Sequence, residues 1–123
     1  MSKVLIYNLD PEKDAKVKML CRKMNIEAQT VEKSDYSMTM GALLGLTEDT
    51  ARREGKDFDD EMMYLVDLRG GMLNLFLDQL RRKKLVIPLK AVMTETNLGF
   101  TSAELHRELC AEREAIAQFY RTV

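Results

Sequence analysis

Hydrophobic and polar positions follow two different periods along this chain, and the switches between them mark its elements. Residues 3–9 (KVLIYNL) are a short, nearly continuous apolar run suited to a buried strand. Asp10 and Pro11 follow as a helix cap and a first helical residue. Val17, Leu20, Cys21 and Met24 then recur at i, i+3, i+4 and i+7, the stripe of an amphipathic helix that Asn25 closes. Residues 26–32 alternate apolar and polar side chains, as a half-exposed strand near a sheet edge does. Met38, Met40, Leu43 and Leu44 mark a short second helix ending at Gly45.

The second half repeats the theme. Residues 62–68 (MMYLVDL) form another apolar strand, and Gly70-Gly71 turns into a helix through Leu73, Phe76, Leu77 and Leu80. A strand over 86–94 follows, with Pro88 placing its start at an edge or outside the ladder. Thr101 and Glu104 have capping-box spacing for a last helix whose buried stripe is Leu105, Leu109, Ile116 and Tyr120. Strand and helix alternate throughout. That order predicts one α/β domain over 1–123: a four-stranded, mostly parallel sheet in βαβαβαβα order with helices on both faces. The two most apolar strands should be central and the other two should flank them. Residues 4–9 with their helix and strand resemble 63–68 with theirs, offset by 59 positions. Two successive βαβ units also fit a ferredoxin-like βαββαβ plait with an extra C-terminal helix, the alternative architecture.

Composition narrows the function classes. The chain has 123 residues, 46% hydrophobic and 32% charged, which excludes a disordered or fibrous protein. Nineteen basic residues against twenty acidic ones argue against a dedicated nucleic-acid binder. No apolar run reaches the length of a membrane span, and the first residues carry no signal-peptide core, so the expectation is a cytoplasmic protein. The charge is unevenly spread. Residues 47–61 hold seven acidic and three basic side chains, with Phe58 the single aromatic, and read as a charged, mobile loop. The rest of the chain is mildly basic. Arg81 to Lys84 form one cationic cluster, which suits the negative end of the preceding helix better than a nucleic acid.

The chemistry is sparse. Cys21 and Cys110 form no ligand pattern and read as small buried thiols. There is no phosphate-binding, nucleophile-elbow or metal-ligand motif, so no cofactor, metal or catalytic set is expected, and the balance tips towards a non-enzymatic protein. Asp67, ending an apolar strand, lacks the acidic pair and lysine of a phosphoacceptor domain. One constellation stands out. Lys90 and Thr94 share a strand face by period two, and Asn97 and the start of the last helix lie just beyond. A lysine, a hydroxyl and helix N–H groups at the carboxyl edge of a sheet suit a small anion or a phosphate-bearing ligand. The 72–84 helix adds Met72 and Leu75 outside its core stripe, which points to a homodimer contact through that helix.

Residues 35–45 (DYSMTMGALLG), the charged segment after them, and above all Ile87-Pro-Leu-Lys-Ala-Val-Met-Thr94 with Thr96-Asn97 resemble a family of small bacterial proteins, the domain of unknown function 3783. The resemblance runs from the first strand to the last helix and is most specific at Lys90–Thr94 with Asn97. It implies a bacterial cytoplasmic protein and adds weight to Lys90, Thr94 and Asn97, but the family carries no assigned activity.

Overall fold

Asp10 opens the first helix as its composition requires: its carboxylate accepts the Lys13 backbone N–H at 2.9 Å, and Pro11 occupies the first helical position. The computed structural model describes residues 1–48 and 51–122, so Asp49 and Thr50 of the charged segment lie outside the described residues. Two compact units emerge. The first comprises Met1–Val31 and Asp59–Met93, and the second comprises Glu32–Phe58 and the chain from Thr94 onward.

The first unit contains β1 (Lys3–Tyr7), α1 (Pro11–Lys23), β2 (Glu27–Thr30), β3 (Met62–Val66), α3 (Met72–Arg82) and β4 (Leu89–Val92); α2 (Met40–Leu43) belongs to the second unit. The sheet order is β2-β1-β3-β4, with the apolar strands central as their composition predicts. The mostly parallel expectation holds at two of its three strand pairings. β1 with β2 and β3 with β4 are parallel, but the central pair is antiparallel, with Leu5 opposite Tyr64. The parallel outer pairs equally exclude the antiparallel ferredoxin-like plait. The cause is the connection from β2 to β3. It runs through the second unit and is long enough to let β3 return antiparallel to β1.

The helices of this unit are placed on one side. Val4 and Ile6 of β1 and Met63 and Leu65 of β3 share one buried cluster with Val17, Leu20 and Cys21 of α1 and Phe76 and Leu80 of α3. Both helices of this unit therefore cover the same sheet face, not opposite ones. Two right-handed crossovers that run outward from an antiparallel centre land on one side. Leu5, Tyr7, Met62 and Tyr64, which alternate with those residues, are buried as well.

The repeat seen in the sequence is written into the backbone. Asn8 and Asp67, each one residue past its central strand, take left-handed φ values of 63° and 59°. Asn25 and Lys84, each closing its helix, take 60° and 57°. Ile26 N–H then bonds the Cys21 carbonyl at 2.8 Å, and Leu85 N–H bonds that of Leu80 at 2.9 Å. These are the same left-handed helix termination, made twice at the same offset.

The second unit is built around α4 (Ser102–Thr122). Thr101 and Glu104 close the expected capping box: Glu104 N–H donates to the Thr101 hydroxyl at 3.1 Å, and Thr101 N–H donates to the Glu104 carboxylate at 3.0 Å. The predicted 38–45 helix shrinks to the single turn α2, capped by the Thr39 hydroxyl on Ala42 N–H at 3.1 Å. Thr39 also bridges to Thr101, and Met40 N–H bonds the Phe100 carbonyl at 2.8 Å. Among the described residues no helix is long and apolar enough to cross a membrane.

Candidate functional site

The three residues singled out by the sequence have clear local roles. Lys90 lies in β4 of the first unit, and its ammonium donates to the Ile87 carbonyl at 2.6 Å. Thr94 and Asn97 lie in the second unit and are brought together. The Thr94 hydroxyl accepts Asn97 N–H at 3.0 Å, and the Asn97 side-chain oxygen accepts Thr94 N–H at 2.8 Å. Those reciprocal bonds occupy both amides. The strand ends at Val92, so the period that sets Lys90 and Thr94 on one face stops before Thr94. Of the cationic cluster at 81–84, Arg81 and Arg82 both pair with Asp78, Arg82 at 2.8 Å, which leaves a smaller positive surface than the sequence displays.

A second group of side chains converges in the second unit without any sequence motif. His106 and Cys110 are one helical turn apart on α4, and Cys110 Sγ lies 3.4 Å from His106 Nε2. Phe58 lies flat on the imidazole, with ring centroids 4.1 Å apart and planes within 4°. Tyr36 stacks on the other face of Phe58 at 4.6 Å. The three rings fix the imidazole plane, and Nε2 is the edge it turns to the sulfur.

The segment that carries Phe58 is tied down residue by residue. Arg52 pairs with Asp35 at 3.1 Å and also donates to the Ser34 carbonyl. Arg53 N–H bonds the Ser37 carbonyl at 2.9 Å, while its guanidinium reaches the Gly99 carbonyl at 3.2 Å and the Glu104 carboxylate at 3.7 Å. Gly55 passes so close to α4 that a Cβ there would stand 3.0 Å from the Ala103 methyl. A side chain at this position would need the segment or the helix to give by a few tenths of an ångström.

Between this segment and α4 opens a cleft of about 730 Å³. His106, Cys110 and Arg107 line its helix side, and Glu54, Lys56 and Asp57 line the other. Lys56, Glu54 and Asp57 form no ion pair among the described residues, so the cleft mouth offers charges of both signs. Glu104 is differently employed. The Thr101 N–H bond, the largest influence, and the nearby Arg53 and Arg107 charges hold its carboxyl below the ordinary range.

The two cysteines separate here. Cys21 is fully buried, as expected, and burial pushes its thiol up to about 11. Cys110 is only half-buried and faces the cleft, which corrects the reading of it as a second core thiol. Its neighbours on the helix explain the difference. The stripe of Leu105, Leu109, Ile116 and Tyr120 is buried only at Leu105, is half-buried at Leu109 and is exposed beyond it. The His106–Cys110 spacing was present in the sequence, but Phe58 is 48 positions away and no local pattern joins it to them.

The model of a family described as a domain of unknown function (DUF3783) matches residues 61–116, from the start of β3 into α4. The match contains Ile87–Thr94 and Asn97, whereas the 35–45 segment lies outside it. No curated protein matches the chain, and neither does any solved structure.

Proposed function

We propose that this chain is a non-enzymatic interaction domain that works as a homodimer, and that its contact surface is the second half of α4. The carrying observation is the exposure of Ile116, Phe119 and Tyr120, at 58%, 62% and 74%, on one helix. From Ala111 to Arg121 every residue is exposed except the half-buried Ala117. Eleven helical residues with so little packing are marginal in water, because helices of this length are stabilised chiefly by burying an apolar face. Burying three such side chains would contribute roughly 1.5–3 kcal/mol each. The 72–84 helix offers less for the same purpose. Its exposed large apolar residue is Leu75, at 49%, while Met72, Leu73 and Leu77 pack against the core.

A second copy of the chain suits this face. Arg113 and Arg121 balance Glu112 and Glu114, so this half of the helix has no net charge to repel its own copy. Antiparallel pairing centred between Ile116 and Ala117 brings Glu112 level with Arg121 of the second copy, and Arg113 level with Tyr120. Opposed helix dipoles add to that arrangement. Two unpaired thiols suit a reducing, cytoplasmic compartment. Hydrogen–deuterium exchange along α4 tests the assignment. Amides of 111–121 should become protected as protein concentration rises, and equal exchange at all concentrations would remove this surface from consideration.

A further inference from the structure

The second unit carries a reactive pair that the interaction surface does not use. Cys110 Sγ and His106 Nε2 stand 3.4 Å apart, the imidazole is clamped by Phe58, and both groups face the 730 Å³ cleft. Three properties make this more than a surface thiol. An imidazole nitrogen lies within reach of the sulfur and, in the tautomer protonated at Nδ1, can accept its proton, which is how nucleophilic cysteines are activated. The imidazole also lies flat on Phe58, which in turn stacks on Tyr36. The cleft also has groups of both signs that form no ion pair among the described residues, Lys56 on one hand and Glu54 and Asp57 on the other, with Arg107 opposite.

We propose that Cys110 exchanges with the disulfide of a small, zwitterionic, amino-acid-derived thiol and so carries it as a mixed disulfide. The charges at the cleft mouth match the carboxylate and ammonium groups of such a ligand, and the cleft is large enough for its body. The step balances without another oxidant. His106 takes the proton from Sγ, and the thiolate attacks one sulfur of the small disulfide. A new S–S bond forms to Cys110 as the old one breaks. The departing thiolate takes the proton back from His106. Cys110 sulfur is oxidised and the departing sulfur is reduced, and excess free thiol reverses the exchange. Cys21 takes no part, since it is sealed in the core.

Intact-mass spectrometry of the full chain incubated with oxidised glutathione tests this directly. One adduct should form, persist in Cys21→Ser and vanish in Cys110→Ser. His106→Phe keeps an aromatic ring on Phe58 but removes the proton acceptor, and should slow the reaction by roughly tenfold or more; His106→Gln supplies the same comparison if the Phe variant misfolds. The folded chain should also favour oxidised glutathione over the uncharged bis(2-hydroxyethyl) disulfide, relative to the urea-unfolded chain. An adduct on Cys21, an unchanged rate in both His106 variants, or the same preference folded and unfolded would each overturn the proposal.

Discussion

Leu5 and Tyr64 face each other across the antiparallel centre of the sheet, and Tyr64 is also the residue 59 positions after Leu5. The same offset joins Asn8 to Asp67 and Asn25 to Lys84, the four non-glycine residues with positive φ among those described. The Leu5–Tyr64 pair therefore marks an approximate two-fold axis through the first unit. One βαβ plan is used twice, in opposite directions.

That symmetry makes a stability comparison. Lys84 and Asn25 close equivalent helices in the left-handed region, where a β-carbon costs roughly 1–2 kcal/mol and asparagine is better tolerated than lysine. Lys84→Gly should raise the urea-unfolding free energy by about 1 kcal/mol, and Asn25→Gly should raise it less. Equal effects at the two sites would show that the side chains have other roles there.

Gly55 is predicted to be intolerant of a larger side chain. Gly55→Val places carbon against Ala103, within the 3.0 Å already measured for a bare Cβ. It should cost about 1–3 kcal/mol and loosen the 51–58 segment, read as faster proteolysis there. Adding Ala103→Gly should recover part of the loss in a double-mutant cycle, since the two sites share one contact.

Glu104 supplies a pH dependence whose sign is fixed. Its carboxyl is held below the ordinary value of 4.5, first by the Thr101 N–H bond. A depressed carboxyl stabilises the fold above its unfolded value, and the contribution is lost as pH falls through the folded value. Wild type should therefore lose stability towards acid more steeply than Glu104→Gln, whose amide oxygen still accepts the Thr101 N–H. Parallel acid-melting curves would show that the carboxylate charge contributes nothing.

Phe76 is fully buried at the junction of α3 with the sheet. Phe76→Ala should cost about 3–5 kcal/mol, measured by denaturant titration. Leu75→Ala, one residue away and half exposed, should change stability little; a loss as large as that at Phe76 would mean that Leu75 is covered in solution.

Much of this fold was legible because local chemistry decides it. Asp10-Pro11 and Thr101 with Glu104 act within four residues, so their caps could be read directly. The central place of 3–9 and 62–68 followed from their uninterrupted apolar character. Strand direction was not legible, because it depends on where the chain travels between Thr30 and Met62. An apolar stripe on a helix likewise says which face seeks cover but not whether anything covers it, which is why Ile116 and Tyr120 read as core. The candidate site was hidden for a third reason. Phe58 sits in the most charged stretch of the chain, and its partners Tyr36 and His106 are joined to it by folding alone.

The association of two chains through α4 is tested most directly by molar mass in solution. Multi-angle light scattering across a concentration series should show wild type moving from 14.2 kDa towards twice that mass. An Ile116→Ser, Tyr120→Ser double variant should stay at 14.2 kDa with its melting profile otherwise intact. A wild type that remains at the single-chain mass at every concentration, or a dimer that the double variant leaves unchanged, would contradict the account.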